Sequence, residues 1–213
     1  MTVLELASDA ERRALIQYLE RIVALDNRAV VRLQAGGSTL GVWSGPPFEV
    51  VALRPAALAT ATDLDRTVSA QRFLERLGSA EPLELPPPVS GPTWVGLLPP
   101  RSGWEERLRG DVANVRTAVD TAKVFFRQRA EGVDDRAELE RIAHDVWERP
   151  CLAEVPVRCA HAADSLGLMG PGDGAAVAFL TDTWLRLAVP GGSVSTRRGF
   201  LPSISVMPLF QAL

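Results

Sequence analysis

A chain of 213 residues, 46% apolar and 23% charged, is long enough to bury a large core, and this excludes wholesale disorder. A formal net charge of -3 and a pI near 5.5 exclude the global basic excess of a protein that lives on phosphate contacts. There is no apolar run of membrane-spanning length, no leader-like apolar stretch ahead of Asp9, Glu11, Arg12 and Arg13, and only two cysteines. The expectation is therefore a reduced, cytoplasmic protein without a membrane span or a disulfide framework.

Ser8 and Glu11 stand three apart ahead of a periodic apolar run, the spacing of a capping box. Leu15, Leu19, Ile22 and Val23 then share one helical face, and the helix should end near Asp26 and Asn27. Three short strands follow. Val31 and Leu33 alternate with polar residues, Gly36-Gly37-Ser38 makes a tight turn, and Leu40, Val42 and Trp43 form the second strand. Gly45-Pro46-Pro47 breaks it, and Phe48 to Leu53 forms the third. The spacing of Leu64, Val68, Leu74 and Leu77 predicts a helix from Asp63 to Leu77.

Seven prolines between Pro82 and Pro100 make that stretch loop, edge strand or linker, with a short strand possible at Trp94 to Leu98. Val112, Val115, Val119, Ala122 and Phe126 predict a helix ended by Gly132; Leu139, Ile142, Ala143 and Val146 predict a second, ending at Pro150. Pro156 suits the first turn of a short third helix reaching Leu166. Ala175 to Leu180, Trp184 to Val189 and Val194 to Arg198 read as a strand followed by a hairpin.

The expected fold class is α+β: a helix-flanked antiparallel sheet followed by a helical subdomain with a terminal β-hairpin. Residues 1–80 form an α/β subdomain with a three-stranded meander, 81–103 a Pro-rich connection or edge strand, 104–199 the helical subdomain with its hairpin, and 200–213 an uncharged apolar tail. The residues Val30 to Trp43 and Trp184 to Arg198 share a strand–Gly-Gly-Ser–strand outline, which is too little for a repeat. The near-absence of lysine (Lys123 alone among 23 basic residues) fits a GC-rich bacterial coding sequence of the actinobacterial kind.

Chemistry-bearing candidates are few. His144, Cys151, Cys159 and His161 crowd one segment, but their spacing matches no zinc finger or ribbon, and no metal is expected. A Cys–His nucleophile pair oriented by Asp145 or Asp164 has no supporting signature. Gly170-Pro171-Gly172-Asp173-Gly174 lacks the residues of a phosphate loop or dinucleotide fold and reads as a turn. The pairs Asp63/Asp65 and Asp134/Asp135 fall at predicted helix starts, where negative charge is structurally favourable. No catalytic residue and no cofactor is assigned.

The function expected is non-catalytic: a protein-interaction or regulatory module, an adaptor or assembly partner, that contacts another protein or a second copy of the chain. The carrier is the tail, with Phe200, Leu201, Ile204, Val206, Met207, Leu209 and Phe210 and no ionisable side chain. An apolar patch of that size is covered either by its own domain or by a partner. Two alternatives stand beside it. One is an enzyme with an unfamiliar site. The other is a winged-helix-like DNA-binding regulator, with Pro156 to Leu166 as recognition helix and Arg158, Arg186, Arg197 and Arg198 facing nucleic acid.

Overall fold

A computed structural model describes residues 3–79 and 83–199. The first half runs β1 (Val3–Leu4), α1 (Asp9–Leu25), β2 (Val30–Gly36), β3 (Thr39–Ser44), β4 (Val51–Ala57), β5 (Leu64–Ser69), α2 (Ala70–Gly78) and β6 (Leu83–Glu84). After a 3-10 turn at Thr93–Gly96 come β7 (Glu105–Asp111), α3 (Val112–Ala130), α4 (Arg136–Trp147), β8 (Pro150–Leu152) and β9 (Val155–Pro156). The chain then closes with α5 (Val157–Ser165), β10 (Ala175–Leu180), β11 (Trp184–Val189) and β12 (Gly192–Arg197). The fold is α+β, built on one large antiparallel sheet.

That sheet has eight strands in the order β5-β2-β3-β4-β12-β11-β10-β7. Each half supplies a three-stranded meander plus one outer strand, and the two meanders join through their last strands. The joining ladder is short: Ser193 pairs with Leu53, Val194 with Ala52 and Ser195 with Val51. Pro55, which cannot donate to a ladder, lies beyond those pairs, so β4 tolerates it.

Alternation explains the layering. Val31, Leu33, Leu40, Val42, Ala52, Ala56, Ala176, Ala178, Leu187 and Val194 are buried on the face that carries the helices. Alanines at four of these positions allow helices to approach the sheet closely. α1 is started by Ser8, whose Oγ accepts from the Glu11 N–H at 3.2 Å, and it buries Leu15, Tyr18, Leu19 and Ile22. One hydrophobic cluster runs through both halves, from Leu4 to Val194.

Three expectations need correction. The Asp63–Leu77 helix is in fact strand β5 followed by α2, with Ser69 as N-cap accepting from Arg72 N–H at 3.4 Å. The second half opens on strand β7 before its first helix, and β7 forms an edge of the sheet. The Trp94–Leu98 strand is a 3-10 turn. The two Gly-Gly-Ser hairpins, β2–β3 and β11–β12, hold non-equivalent places: the second lies at the joint between the halves, the first one strand away from it.

Beyond the ladder, side-chain donors of each half reach main-chain carbonyls of the other. Arg54 Nη1 donates to Gly191 O at 3.1 Å, and within the second half Gly191 N–H donates to Leu168 O at 2.7 Å. Arg158, buried in α5, pairs with Glu148 and donates to Phe48 O at 3.1 Å and Glu49 O at 2.8 Å. Thr196 Oγ1 also donates to Glu49 O, at 3.4 Å. Donors from the second half thus fix a residue of the first whose φ is 55, a conformation costly for a non-glycine residue.

Candidate interaction surfaces

The sheet's other face is crossed by the proline-rich stretch. Val89 N–H donates to Thr67 O on β5 at 2.9 Å, and Arg32 donates to Val95 O. Trp94 covers Gly45, where an added Cβ would meet its ring at 2.7 Å. At the far end Trp104 stacks on Arg186, with the guanidinium carbon 3.8 Å from the ring centre. Burial pulls Arg186 down to about 10, still cationic at neutral pH. Beneath the strap, Arg32 forks onto Asp65 with two bonds of 2.7 Å, and Gln34 Nε2 adds a third at 3.0 Å. The Arg32 fork holds the Asp65 carboxyl below its ordinary range. Asp65 is therefore an ion-pair partner on a strand, where a helix-start role was expected. Asp135 does cap α4, its Oδ1 accepting from Ala137 N–H at 3.2 Å.

A shallow groove of 290 Å³ crosses the joint on this face, lined by Leu53, Pro55, Phe179, Arg186, Ala188 and Pro190 among others. Next to it the sheet ends at β7. Six of the seven β7 residues are exposed, and among the described residues it pairs with β10 alone. Leu108, on this edge, is 47% exposed.

The cysteines and histidines do not make a reaction centre. His161 lies between Phe48 and Trp147, with both ring centres 4.9 Å away. Burial pushes the Cys151 thiol up to about 11 and the Cys159 thiol up to about 12, so neither is poised as a free thiolate nucleophile at neutral pH. Among the described residues no group of three or more His, Cys, Asp or Glu is placed to hold a metal ion. Chelation should therefore leave the melting temperature unchanged, because a structural zinc site would be coupled to folding. Stoichiometric zinc in the purified protein, with helicity lost on its removal, would show otherwise.

The winged-helix reading fails on burial. In α5, residues Val157 to Ala163 are all buried, so this helix has no face to offer a DNA groove. The expected wing, β11–β12, lies in the middle of the eight-stranded sheet. The four arginines are not brought together. Arg158 is buried within α5, Arg186 is stacked on Trp104, Arg197 lies over Trp184 at 5.4 Å, and Arg198 pairs with Glu154 at 2.7 Å. The tail residues Phe200, Leu201, Ile204, Val206, Met207, Leu209 and Phe210 lie outside the described residues. Sequence reasoning missed the β7 edge, whose charged residues carry no apolar alternation to reveal a strand.

This architecture, a broad antiparallel sheet of two joined halves with helices on one face, defines a class by shape. Among solved structures it is similar to bacterial sliding clamps. The DnaN sliding clamp (DNA polymerase III subunit beta) of Bartonella birtlesii, bound to griselimycin, matches with a TM-score of 0.58 and 11% identity over 95% of this chain and 67% of that one. A putative DNA polymerase III beta subunit of Eubacterium rectale matches with a TM-score of 0.58 and 9% identity, over 95% and 67%. The DNA polymerase III subunit beta of Pseudomonas aeruginosa matches with a TM-score of 0.51 and 13% identity, over 93% and 66%. The chain thus spans about two thirds of the clamps' length, and identities this low show the fold alone. By sequence, residues 1–96 match the model of a domain of unknown function, DUF8010, and residues 99–201 that of another, DUF8185. No curated protein matches. No helix among the described residues is long and apolar enough to cross a membrane.

Proposed function

We propose that this chain is a non-catalytic assembly module that extends its sheet, or seats its apolar tail, on another protein or a second copy of itself. The observation that carries this is the β7 edge: a seven-residue strand with one side of its backbone unpaired by any strand among the described residues. Such an edge is a template for a further strand, whose main chain supplies affinity and whose side chains supply selectivity. The tail adds seven large apolar residues without charge. Similarity to the clamp fold supports an assembly role, as does the scarcity of activated side chains in the described residues. The expected result is an assembly larger than the 23.0 kDa monomer, or one recovered partner at stoichiometric yield, in light scattering and native purification. Deleting residues 200–213, or placing proline at 108, should abolish association and leave the monomer folded. A full-length chain that stays monomeric and brings no partner overturns the reading. A tail deletion that unfolds the chain assigns the tail to the core.

A second reading has one specific observation behind it. α1, α2 and α3 carry nine Arg or Lys and five Asp or Glu, whereas the whole chain carries 23 and 26. With α4 and α5 included the five helices carry 12 Arg or Lys and nine Asp or Glu, so the basic excess lies on α1–α3 in a chain that is acidic overall, which suits phosphate backbones. Duplex binding whose affinity falls steeply with salt supports this reading, and binding insensitive to salt counts against it.

A further inference from the structure

A cleft of 320 Å³ opens on the helix side of the joint, between α1 and the turn that follows α5. Gln17, Tyr18, Arg21, Arg54, Gly167 and Gly191 are among its lining residues. Its only charged lining residues are the two arginines, and no carboxylate faces it. Arg54 stands on β4 between Ala52 and Ala56, the buried positions of the core-facing side. Arg54 itself is half-buried, and no acidic side chain lines the cleft beside it. Among the described residues Arg54 makes one hydrogen bond, to Gly191 O, and Arg21 makes one, to Asp164 O at 3.5 Å. Neither takes part in an ion pair there. The nearby Asp164 carboxylate is already engaged by two cations of α3, Arg116 at 3.5 Å and Lys123 at 3.3 Å.

The glycines in the wall allow close packing around the cleft: the Arg21 guanidinium lies against Gly167, where an added Cβ would meet its carbon at 2.6 Å, and the Leu168 backbone lies against Gly191, where one would meet Leu168 O at 2.6 Å. Buried Tyr18, its hydroxyl 2.8 Å from Ser44 Oγ, anchors the α1 side of the cleft. Each guanidinium has five N–H donors, so each retains most of its fork for a ligand.

We propose that this cleft binds a phosphate group between Arg21 and Arg54. Two unpaired guanidinium groups match a tetrahedral oxyanion of about two negative charges in both charge and hydrogen-bond geometry. The site is distinct from the β7 edge, so its failure would leave the edge-pairing reading untouched, and the reverse.

The test is calorimetric titration of the full chain with inorganic phosphate at low ionic strength, with acetate as the control anion. The expected result is saturable one-site binding, at least tenfold weaker in Arg54→Gln and in Arg21→Gln, and far weaker for acetate. Arg54 also holds the joint, so Arg54→Gln risks misfolding; Arg21 is exposed, and Arg21→Gln keeps the test decisive. Absence of saturable phosphate binding, or binding undiminished in a folded Arg21→Gln chain, overturns the proposal. A competition arm then separates the sources of the group. A short DNA duplex that displaces phosphate assigns the site to a nucleic-acid backbone. Phosphate that stays bound assigns it to a free phosphorylated small molecule.

Discussion

A Gly192→Ala chain should lose at least about 3 kcal/mol of stability, read as a shift in the urea midpoint. Gly192 has a φ of 154, and a Cβ there would lie 2.1 Å from Leu53 O and 3.2 Å from Leu53 C. Those atoms belong to the backbone of β4, so no side-chain rotation relieves the clash. Either β12 moves off β4 or the turn before it rebuilds. Both outcomes break the short ladder that makes one sheet of two halves. Gly37 is the internal control. It also has a positive φ, of 70, but nothing lies within 4 Å of an added Cβ. Gly37→Ala should cost only the left-handed backbone penalty, about 1–2 kcal/mol. Equal losses at the two positions would show that the contact with Leu53 does not govern the joint.

The same comparison shows what could be read from the chain. Capped, amphipathic helices were legible: Ser8 with Glu11, Pro156 before α5, and the apolar spacing of α3 and α4 each led to an element that the structure contains. The meander of the first half and the terminal β10–β12 strands were legible for the same reason, a period of two bounded by glycine turns. Strand β5 was not. Leu64 and Val68 are four apart, a spacing that serves a helix and a strand equally, and the following helix lent its period to the whole stretch. Strand β7 was hidden differently. As an edge strand it buries almost nothing, and its Glu-Glu-Arg-Leu-Arg-Gly-Asp sequence has no apolar face to announce it. The cleft was out of reach altogether. Arg21 and Arg54 are brought together by the packing of α1 on β4 within the first half, and nothing local in either segment announces a second arginine. Gly191-Gly192 read as an ordinary hairpin turn, although its compactness is what lets β12 meet β4.

The stability of the fold should fall by about 3 kcal/mol between pH 6.5 and pH 4 through one side chain, His161. Its ring is stacked on Trp147 at an interplanar angle of 18° and meets Phe48 edge-on, and it is 8% exposed. Nδ1 is buried and has no hydrogen-bond partner among the described residues. Burial is the main force holding the imidazole neutral; Lys123 adds to it, and Asp164 opposes it. Together they bring the group from 6.5 down to about 4. The direction follows from proton binding. Below pH 6.5 the unfolded chain takes up a proton that the folded chain refuses until about pH 4. The contribution of His161 is therefore intact above 6.5, lost progressively down to about 4, and constant below that. Replacing it with Phe keeps the aromatic sandwich and removes the titration. Glu49, raised by burial, and Asp65, lowered by Arg32, titrate in both proteins and cancel in the difference. The stability of wild type relative to His161→Phe, followed by urea denaturation across this range, should decline by the stated amount as pH falls. Parallel curves for the two proteins would mean that the ring exchanges its proton as freely folded as unfolded, and that the sandwich does not exclude water.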